Sequence, residues 1–253
     1  MVHFVGAGSG AEDLITVRGA RLLEEADVVI YAGSLVNPAH LKRTKEGCEI
    51  YDSAKMTLEE VTDVMKRSEV EGKTTVRLHT GDSSIYGAVR EQFDILDAEG
   101  IPYDVCPGVS SFFGAAASLK AEYTLPDVSQ TVIITRAEGR TPVPDRESIR
   151  SLAQHGSTMV LFLSTSLTAK LKEDLLAGGY EEDTPAAIVY KATWPDEKIF
   201  RCTVGTIHQT VRENGLTKTA LIIIGGCLGD RYERSKLYDP EFTTEFRKGI
   251  HDK

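Results

Sequence analysis

Asp82 is the first residue whose type and setting invite chemistry. It lies in His79-Thr-Gly-Asp-Ser-Ser-Ile-Tyr-Gly-Ala88, directly after Lys73-Thr-Thr-Val-Arg-Leu78, a β-rich run that reads as a buried strand. From Ala88 to Leu96, the apolar residues Ala88, Phe93, Ile95 and Leu96 recur among charges, the pattern of an amphipathic helix. Thr80-Gly81-Asp82 is therefore expected in a tight turn at the carboxyl end of a strand, the edge where open α/β sheets bind ligands. A carboxylate there can face a cation or accept from hydroxyl and amino groups. Gly81 and Gly87 would let the backbone approach a ligand with no side chain in the way. The competing reading is a plain turn in which Asp82 caps the following helix.

Other residue patterns exclude chemistry more than they add it. Gly6-x-Gly8-x-Gly10 follows a strand, but the dinucleotide fingerprint needs two residues between its second and third glycines, and one is present. The second strand ends in Tyr31-Ala-Gly-Ser34, with no carboxylate for a ribose, so a nicotinamide reductase is disfavoured. No serine sits in a Gly-x-Ser-x-Gly elbow. His3, His40, His79, His155, His208 and His251 show no metal-ligand spacing, and no metal is expected. Of these only His79 borders the candidate site, where a core or turn-stabilising role is expected. No catalytic side chain is assigned.

The elements that must position these residues alternate strand and helix. Strands are expected at Val2–Val5, Asp27–Tyr31, Lys73–Leu78 and Tyr103–Cys106. Helices are expected from Val17 to Ala26 behind a Thr16 cap, from Met56 to Glu71 with a cap near Thr57, and through Phe113–Ala117. That order predicts a parallel sheet. The loops Gly6–Gly10, Ala32–Val36, Thr80–Tyr86 and Pro107–Ser111 would then converge at one edge. The period breaks over Glu122–Ser129, the expected domain boundary. Beyond it, strands are expected at Thr131–Thr135, Thr158–Leu163, Ala186–Tyr190, Lys198–Thr203 and Ala220–Ile224, with helices at Leu167–Ala177 and Thr206–Glu213. A site built of small residues and backbone between two such domains suits a reaction whose cofactor carries the chemistry.

Composition sets the outer bounds. The 253 residues, 41% of them hydrophobic, can bury a real core. A net charge of −9 argues against nucleic acid or an anionic membrane as the main partner, while leaving room for an anionic small molecule where basic residues gather. Cys48, Cys106, Cys202 and Cys227 form no Cys-x-x-Cys pair, and reduced thiols are expected. No apolar run approaches the ~20 residues of a membrane span, and no N-terminal targeting pattern is read. The expectation is a soluble, cytoplasmic protein.

At this combination of residues the chain resembles a known family, the class III S-adenosylmethionine-dependent tetrapyrrole methyltransferases of corrin biosynthesis. The general features are Val5-Gly-Ala-Gly-Ser-Gly10, Asp13-Leu-Ile-Thr-Val-Arg-Gly19, Ala26-Asp-Val-Val-Ile-Tyr31, Thr80-Gly-Asp82 with Tyr86-Gly87, and Pro107-Gly-Val-Ser-Ser111. More specific strings run from Gln130 to Pro144, from Val189 to Lys198, from Arg234 to Pro240, and over Phe246-Arg-Lys-Gly249. The resemblance covers nearly the whole chain. It implies two α/β domains, 1–121 with a mainly parallel sheet and 129–253 with a mixed sheet, and a ligand cleft between them. It implies S-adenosyl-L-methionine as cofactor, with S-adenosyl-L-homocysteine as product. The cofactor positions that carry over are Thr80, Gly81, Asp82, Ile85, Tyr86, Ser110, Ser111, Leu163, Tyr190, Lys191, Ala192 and Ala220. The tetrapyrrole positions are Gly8, Ser9, Gly10, Arg18, Ser34, Arg136 and Arg140.

The implied activity is methylation of carbon 11 of precorrin-4 or cobalt-precorrin-4 in cobalamin biosynthesis, by a homodimer, with the cobalt form favoured by the strings near Lys191–Lys198 and Arg234–Lys248. The macrocycle's conjugation makes that carbon nucleophilic, so alignment and exclusion of water can supply most of the catalysis. The substrate's carboxylates call for basic residues, and Arg18, Arg136, Arg140 and Lys191 are candidates, surface ion pairing being the alternative for each. Two departures stand out: Ser83 and Ser9 occupy positions where the family usually has proline. Ala32-Gly33 stands where some tetrapyrrole methylases carry an aspartate proposed as base, so no general base carries over. A methylase acting at another ring position and a non-catalytic tetrapyrrole carrier are the alternatives.

Overall fold

The computed structural model describes residues 1–250, apart from the side chain of Ser34; the expected Ser34 contact, and His251 among the histidines, therefore lie outside the described residues. The chain forms two compact units. The first comprises Met1–Ser118 and Lys191–Lys198; the second comprises Leu119–Tyr190 and the chain from Ile199 onward. The sequence placed the break a few residues later, at Glu122–Ser129, and gave Lys191–Lys198 to the second domain.

In the first unit the elements run β1 (Val2–Gly6), α1 (Val17–Glu25), β2 (Val28–Tyr31), β3 (Glu49–Asp52), α2 (Leu58–Val70), β4 (Thr75–His79), α3 (Arg90–Ala98), β5 (Tyr103–Cys106) and α4 (Ser111–Leu119). Local chemistry sets the helix starts. Thr16 Oγ1 accepts from Gly19 N at 3.1 Å, and Thr57 and Glu60 form a capping box. The strands form an all-parallel sheet in the order β3-β2-β4-β1-β5. Alternation along the strands supplies two apolar faces. Val5, Val29, Val76 and Leu78 share a core with Leu23 of α1, whereas Phe4 and Ile30 share one with Val61 and Met65 of α2 and Leu96 of α3. Burying each such side chain contributes roughly 1.5–3 kcal/mol, which fixes the register. Because all strands run the same way, the loops after β1, β2, β4 and β5 leave from one edge.

The edge strand β3 was not legible in the sequence. Its Glu-Ile-Tyr-Asp pattern is half polar and its burial partial, and tertiary bonds hold it: Lys73 Nζ lies 2.7 Å from Glu49 Oε1, and the Arg67 guanidinium donates to Tyr51 Oη at 2.8 Å.

The second unit contains β6 (Val132–Arg136), α5 (Ile149–Ala153), β7 (Thr158–Phe162), α6 (Thr168–Ala177), β8 (Pro185–Tyr190), β9 (Lys198–Thr203), α7 (Ile207–Glu213) and β10 (Ala220–Ile224). The five-residue α5, too short to show a period, was also missed. The sheet order is β6-β7-β10-β8-β9, with β6 parallel to β7 and β10 antiparallel to both β7 and β8. Met159, Leu161, Ile188, Ile222 and Ile224 pack with Leu171, Leu175, Ile207 and Val211 of the covering helices. As expected, one sheet is parallel and the other mixed. Among the described residues no helix is long and apolar enough to cross a membrane. All four cysteines are free.

Candidate functional site

At the carboxyl edge of the first sheet, loops meet main chain to main chain. Gly8 and Gly81 form an isolated bridge, Gly8 N donating to Gly81 O at 3.3 Å and Gly81 N to Gly8 O at 3.0 Å. A Cβ on Gly108 would stand 2.1 Å from Gly81 O and 2.7 Å from Gly6 Cα. Glycine at 6, 81 and 108 therefore lets three loops touch each other. Gly87, expected to make room for a ligand, has a nearer reason: a Cβ there would lie 2.1 Å from Ser83 O, in its own loop.

Asp82 joins two of these loops. Its Oδ1 accepts from Ser84 N at 2.9 Å and Ser84 Oγ at 2.5 Å, and its Oδ2 accepts from Gly108 N at 2.7 Å. Burial pushes this carboxyl up, but the hydrogen bonds from Ser84 and Gly108 outweigh it and hold the pKa below the usual carboxylate range. The helix-cap alternative is not what the structure shows: the cap of α3 is Val89, with no side-chain bond. Ser110 is buried just beyond Gly108, and Ser111 opens α4. Thr80 Oγ1 is buried with no hydrogen-bond partner among the described residues. Ile85 is half-buried and Tyr86 is exposed.

The segment Lys191–Lys198 lies on the glycine loop after β1. Thr193 Oγ1 is 3.1 Å from Ser9 Oγ and accepts from Ala11 N at 3.0 Å. Glu197 Oε2 accepts from Thr193 N and from Ser118 Oγ, both at 2.5 Å. A Cβ on Gly10 would stand 2.1 Å from Trp194 Cδ1 and 2.5 Å from the carbonyl of buried Ala192. Ser9 is itself buried, its hydroxyl engaged by Thr193, and Gly8 has φ +83° with no space for a Cβ beside Leu14 O. Lys191 Nζ sits 2.6 Å from Asp196 and 5.1 Å from the Trp194 ring centre. Thr193, Trp194 and Glu197 were not among the predicted site residues, although all three lie in the Val189–Lys198 string. Arg18 is exposed in the first turn of α1 with no polar partner among the described residues.

In the second unit, antiparallel β10 begins where β7 and β8 end. Ala220 pairs with Tyr190, and Thr165 Oγ1 donates to Ala220 O at 3.4 Å. Leu163 follows β7, and Arg136, paired with Phe162, ends β6 at the same edge. Arg136 is turned onto its own loop, donating to Thr141 O at 3.1 Å and Pro142 O at 2.8 Å. Arg140 is exposed and has no polar partner among the described residues. Leu163 is 63% exposed yet adopts φ +52°. Of eight described non-glycine residues at positive φ, three, Tyr86, Leu163 and Lys191, are predicted cofactor positions, and Thr219 immediately precedes a fourth. Such conformations cost about 1–3 kcal/mol each and gather at functional sites.

The comparisons with known proteins fit this geometry. The model of the tetrapyrrole (corrin/porphyrin) methylases matches residues 1–208. The chain belongs to the tetrapyrrole methylases. It is 56% identical over 248 residues to a protein of Methanocaldococcus jannaschii named cobalt-precorrin-4 C(11)-methyltransferase, covering 98% of this chain and 96% of that one. Among solved structures, this tetrapyrrole methylase matches the cobalt precorrin-4 methyltransferase of cobalamin biosynthesis with a TM-score of 0.89 and 49% identity, over 90% of this chain and 96% of the other. It also matches the uroporphyrin-III C-methyl transferase of Thermus thermophilus complexed with S-adenosyl homocysteine, with a TM-score of 0.77 and 25% identity over 90% and 98% of the two chains.

Proposed function

We propose that this tetrapyrrole methylase transfers a methyl group from S-adenosylmethionine to carbon 11 of cobalt-precorrin-4, a step in making cobalamin. One observation carries the cofactor assignment: the strained backbone at Tyr86, Leu163 and Lys191 falls on positions that the family pattern gives to the cofactor. The chemistry of the first loop fits the same group. Thr80 Oγ1 offers a buried donor and acceptor that has no partner among the described residues, beside a loop whose shape Asp82 and Gly108 fix. The name of the 56% identical relative supports the C11 position, and both that name and the name of the structure at 49% identity support the cobalt-bearing ring.

When bound, S-adenosylmethionine supplies an electrophilic methyl on a good leaving group. The protein's share is positioning. Asp82 holds the Thr80–Ser84 turn to the Pro107–Ser111 loop, Thr193 holds Lys191–Lys198 to the Gly6–Gly10 loop, and Glu197 ties that segment to Ser118 of α4. Arg18 and Arg140, whose guanidinium groups have no partners among the described residues, are available to substrate carboxylates, whereas Arg136 and Lys191 are already engaged. No side chain is assigned as general base. The family resemblance further supports a cytoplasmic homodimer, and light scattering after size-exclusion chromatography reads the oligomeric state directly.

Calorimetric titration with S-adenosylhomocysteine tests the assignment, with NAD and NADP as controls. The expected result is about one site per chain for the homocysteine product, no heat with either dinucleotide, and at least tenfold weaker binding in Asp82→Ala. Binding of NAD, or of nothing, would overturn it.

A further inference from the structure

Arg77, in the middle of β4, is 6% exposed, and among the described residues no carboxylate lies against it. Burial pulls its pKa down to about 10. A buried charge without a counter-ion is expensive and persists where its hydrogen bonds do something else. Its bonds lead to the end of β2 and to the loop after β4. The guanidinium donates to Ile30 O at 3.1 Å, in β2 just before the Ala32–Val36 loop. Its Nε donates to Gln92 Oε1 at 3.1 Å, and Gln92 Nε2 donates onward to Ala88 O at 2.9 Å. Gln92 is 4% exposed in the first turn of α3, a helix whose cap position contributes no side-chain bond.

Ala88 is the far end of the loop that begins at Thr80. It stands at φ +47°, two residues after Tyr86 at φ +55°. Two left-handed non-glycine residues so close together do not hold that shape unaided; the surroundings must over-determine it. At its near end the loop is fixed by Asp82. At its far end the Gln92 amide is the side-chain bond that holds the Ala88 carbonyl, and Arg77 orients that amide by occupying its oxygen.

We propose that Arg77 and Gln92 are positioning residues: a buried Arg77–Gln92–Ala88 relay that sets the shape of the Thr80–Ala88 loop, and through it the affinity for S-adenosylmethionine and its product. The second clause rests on the cofactor reading above. Neither side chain reaches the ligand, because both lie in the core on the face of β4 covered by α2 and α3.

Gln92→Glu separates this role from mere neutralisation of a buried charge. A carboxylate keeps an acceptor for Arg77, and supplies its missing counter-ion, but has no N–H for Ala88 O. Thermal melting, amide hydrogen exchange over residues 83–88, and titration with S-adenosylhomocysteine are measured on the wild type, Gln92→Glu and Gln92→Leu. The relay predicts a Gln92→Glu melting temperature at or above that of the wild type, at least tenfold faster exchange in the loop, and roughly tenfold weaker binding. Gln92→Leu loosens the loop likewise while also losing stability. Loop exchange in Gln92→Glu equal to the wild type's sinks the relay. Faster exchange with unchanged affinity sinks the link from loop shape to ligand. Failure of the wild type to bind the product at all counts against the cofactor reading instead, and the exchange data then judge the relay alone.

Discussion

At the carboxyl edge of the first sheet, close approach is achieved with glycine. Gly6, Gly81 and Gly108 stand where any Cβ would press on a neighbouring main chain, and Gly8 and Gly81 adopt positive φ at little cost. At the edge of the second sheet where β7 ends and β10 begins, Leu163 and Thr219 adopt equally left-handed backbone, at φ +52° and +58°, while carrying side chains. The difference is informative. Where space or conformation alone is required, glycine meets the need. A leucine that keeps a disfavoured conformation, with most of its surface in solvent, is the kind of residue whose side chain must be tested for a role. The glycine cluster of the first edge is thus a scaffold made of backbone, whereas Leu163 in the second unit, like Tyr86 in the first, holds a side chain on left-handed backbone at an energetic cost.

The scaffold is broken most severely at Gly108. Gly108→Ala places a methyl 2.1 Å from Gly81 O, against backbone on both sides that cannot yield as a side chain would. Denaturant unfolding should show a loss of about 3 kcal/mol or more, near the upper end for single substitutions. Product binding should disappear with it. A loss below about 1 kcal/mol would mean the loops slide apart easily and the scaffold reading is wrong.

A second effect, somewhat smaller, depends on pH. His79 ends β4 beneath the same loop, 3% exposed and stacked on Phe4 with ring centres 6.2 Å apart. Burial, reinforced by the Arg77 charge, pushes its pKa down to about 3 from an ordinary 6.5. The folded state keeps it neutral while the unfolded state takes up a proton below about 6.5, so its contribution is complete above that pH. It is lost progressively as pH falls towards about 3, at up to about 1.4 kcal/mol per pH unit. His79→Phe retains a ring against Phe4 and removes that proton. Between pH 6.5 and 5.5 the wild type should lose up to about 1.4 kcal/mol more than the variant. His40, also pushed down by burial, is common to both and cancels. Parallel pH profiles would show that His79 is protonated in the folded state.

These two regions also differ in how far they could be read from sequence. Glycine announces itself, so the loops at Gly6, Gly81 and Gly108 are legible in the sequence, and the caps at Thr16 and Thr57 are single-residue signals with local partners. An uninterrupted apolar run identifies β10, and a β-rich run identifies β4. What was missed depends on distant partners. Strand β3 is held by Lys73 acting on Glu49 and by Arg67 acting on Tyr51, and Thr193 meets Ser9 across 184 residues of sequence. The roles of Arg77 and Gln92 were hidden too, because an arginine inside a β-rich run carries no sign of what it bonds. Positive φ at Leu163 runs against the local preference of leucine, so the residue could be named from the family pattern but its strain could not. Asp82 shows the mixed case: the sequence picked out the carboxylate, and the structure shows it joining two loops.

Leu163→Gly sharpens the contrast between the edges because its two consequences separate. Relief of the left-handed leucine stabilises by about 1–2 kcal/mol, while the extra freedom of glycine in the unfolded chain offsets about 0.4–1 kcal/mol. Little apolar burial is lost from a side chain 63% exposed. The net change in stability should lie within about 1 kcal/mol of zero, on the stabilising side. If the side chain is kept to contact the cofactor, affinity for S-adenosylhomocysteine should nonetheless fall several-fold. Leu163→Ala, which keeps the strain and shortens the side chain, should lose affinity without the gain in stability. Unchanged affinity in both variants would make Leu163 a residue of the turn alone, and the second edge would then resemble the first, a scaffold with a more costly residue where glycine would serve.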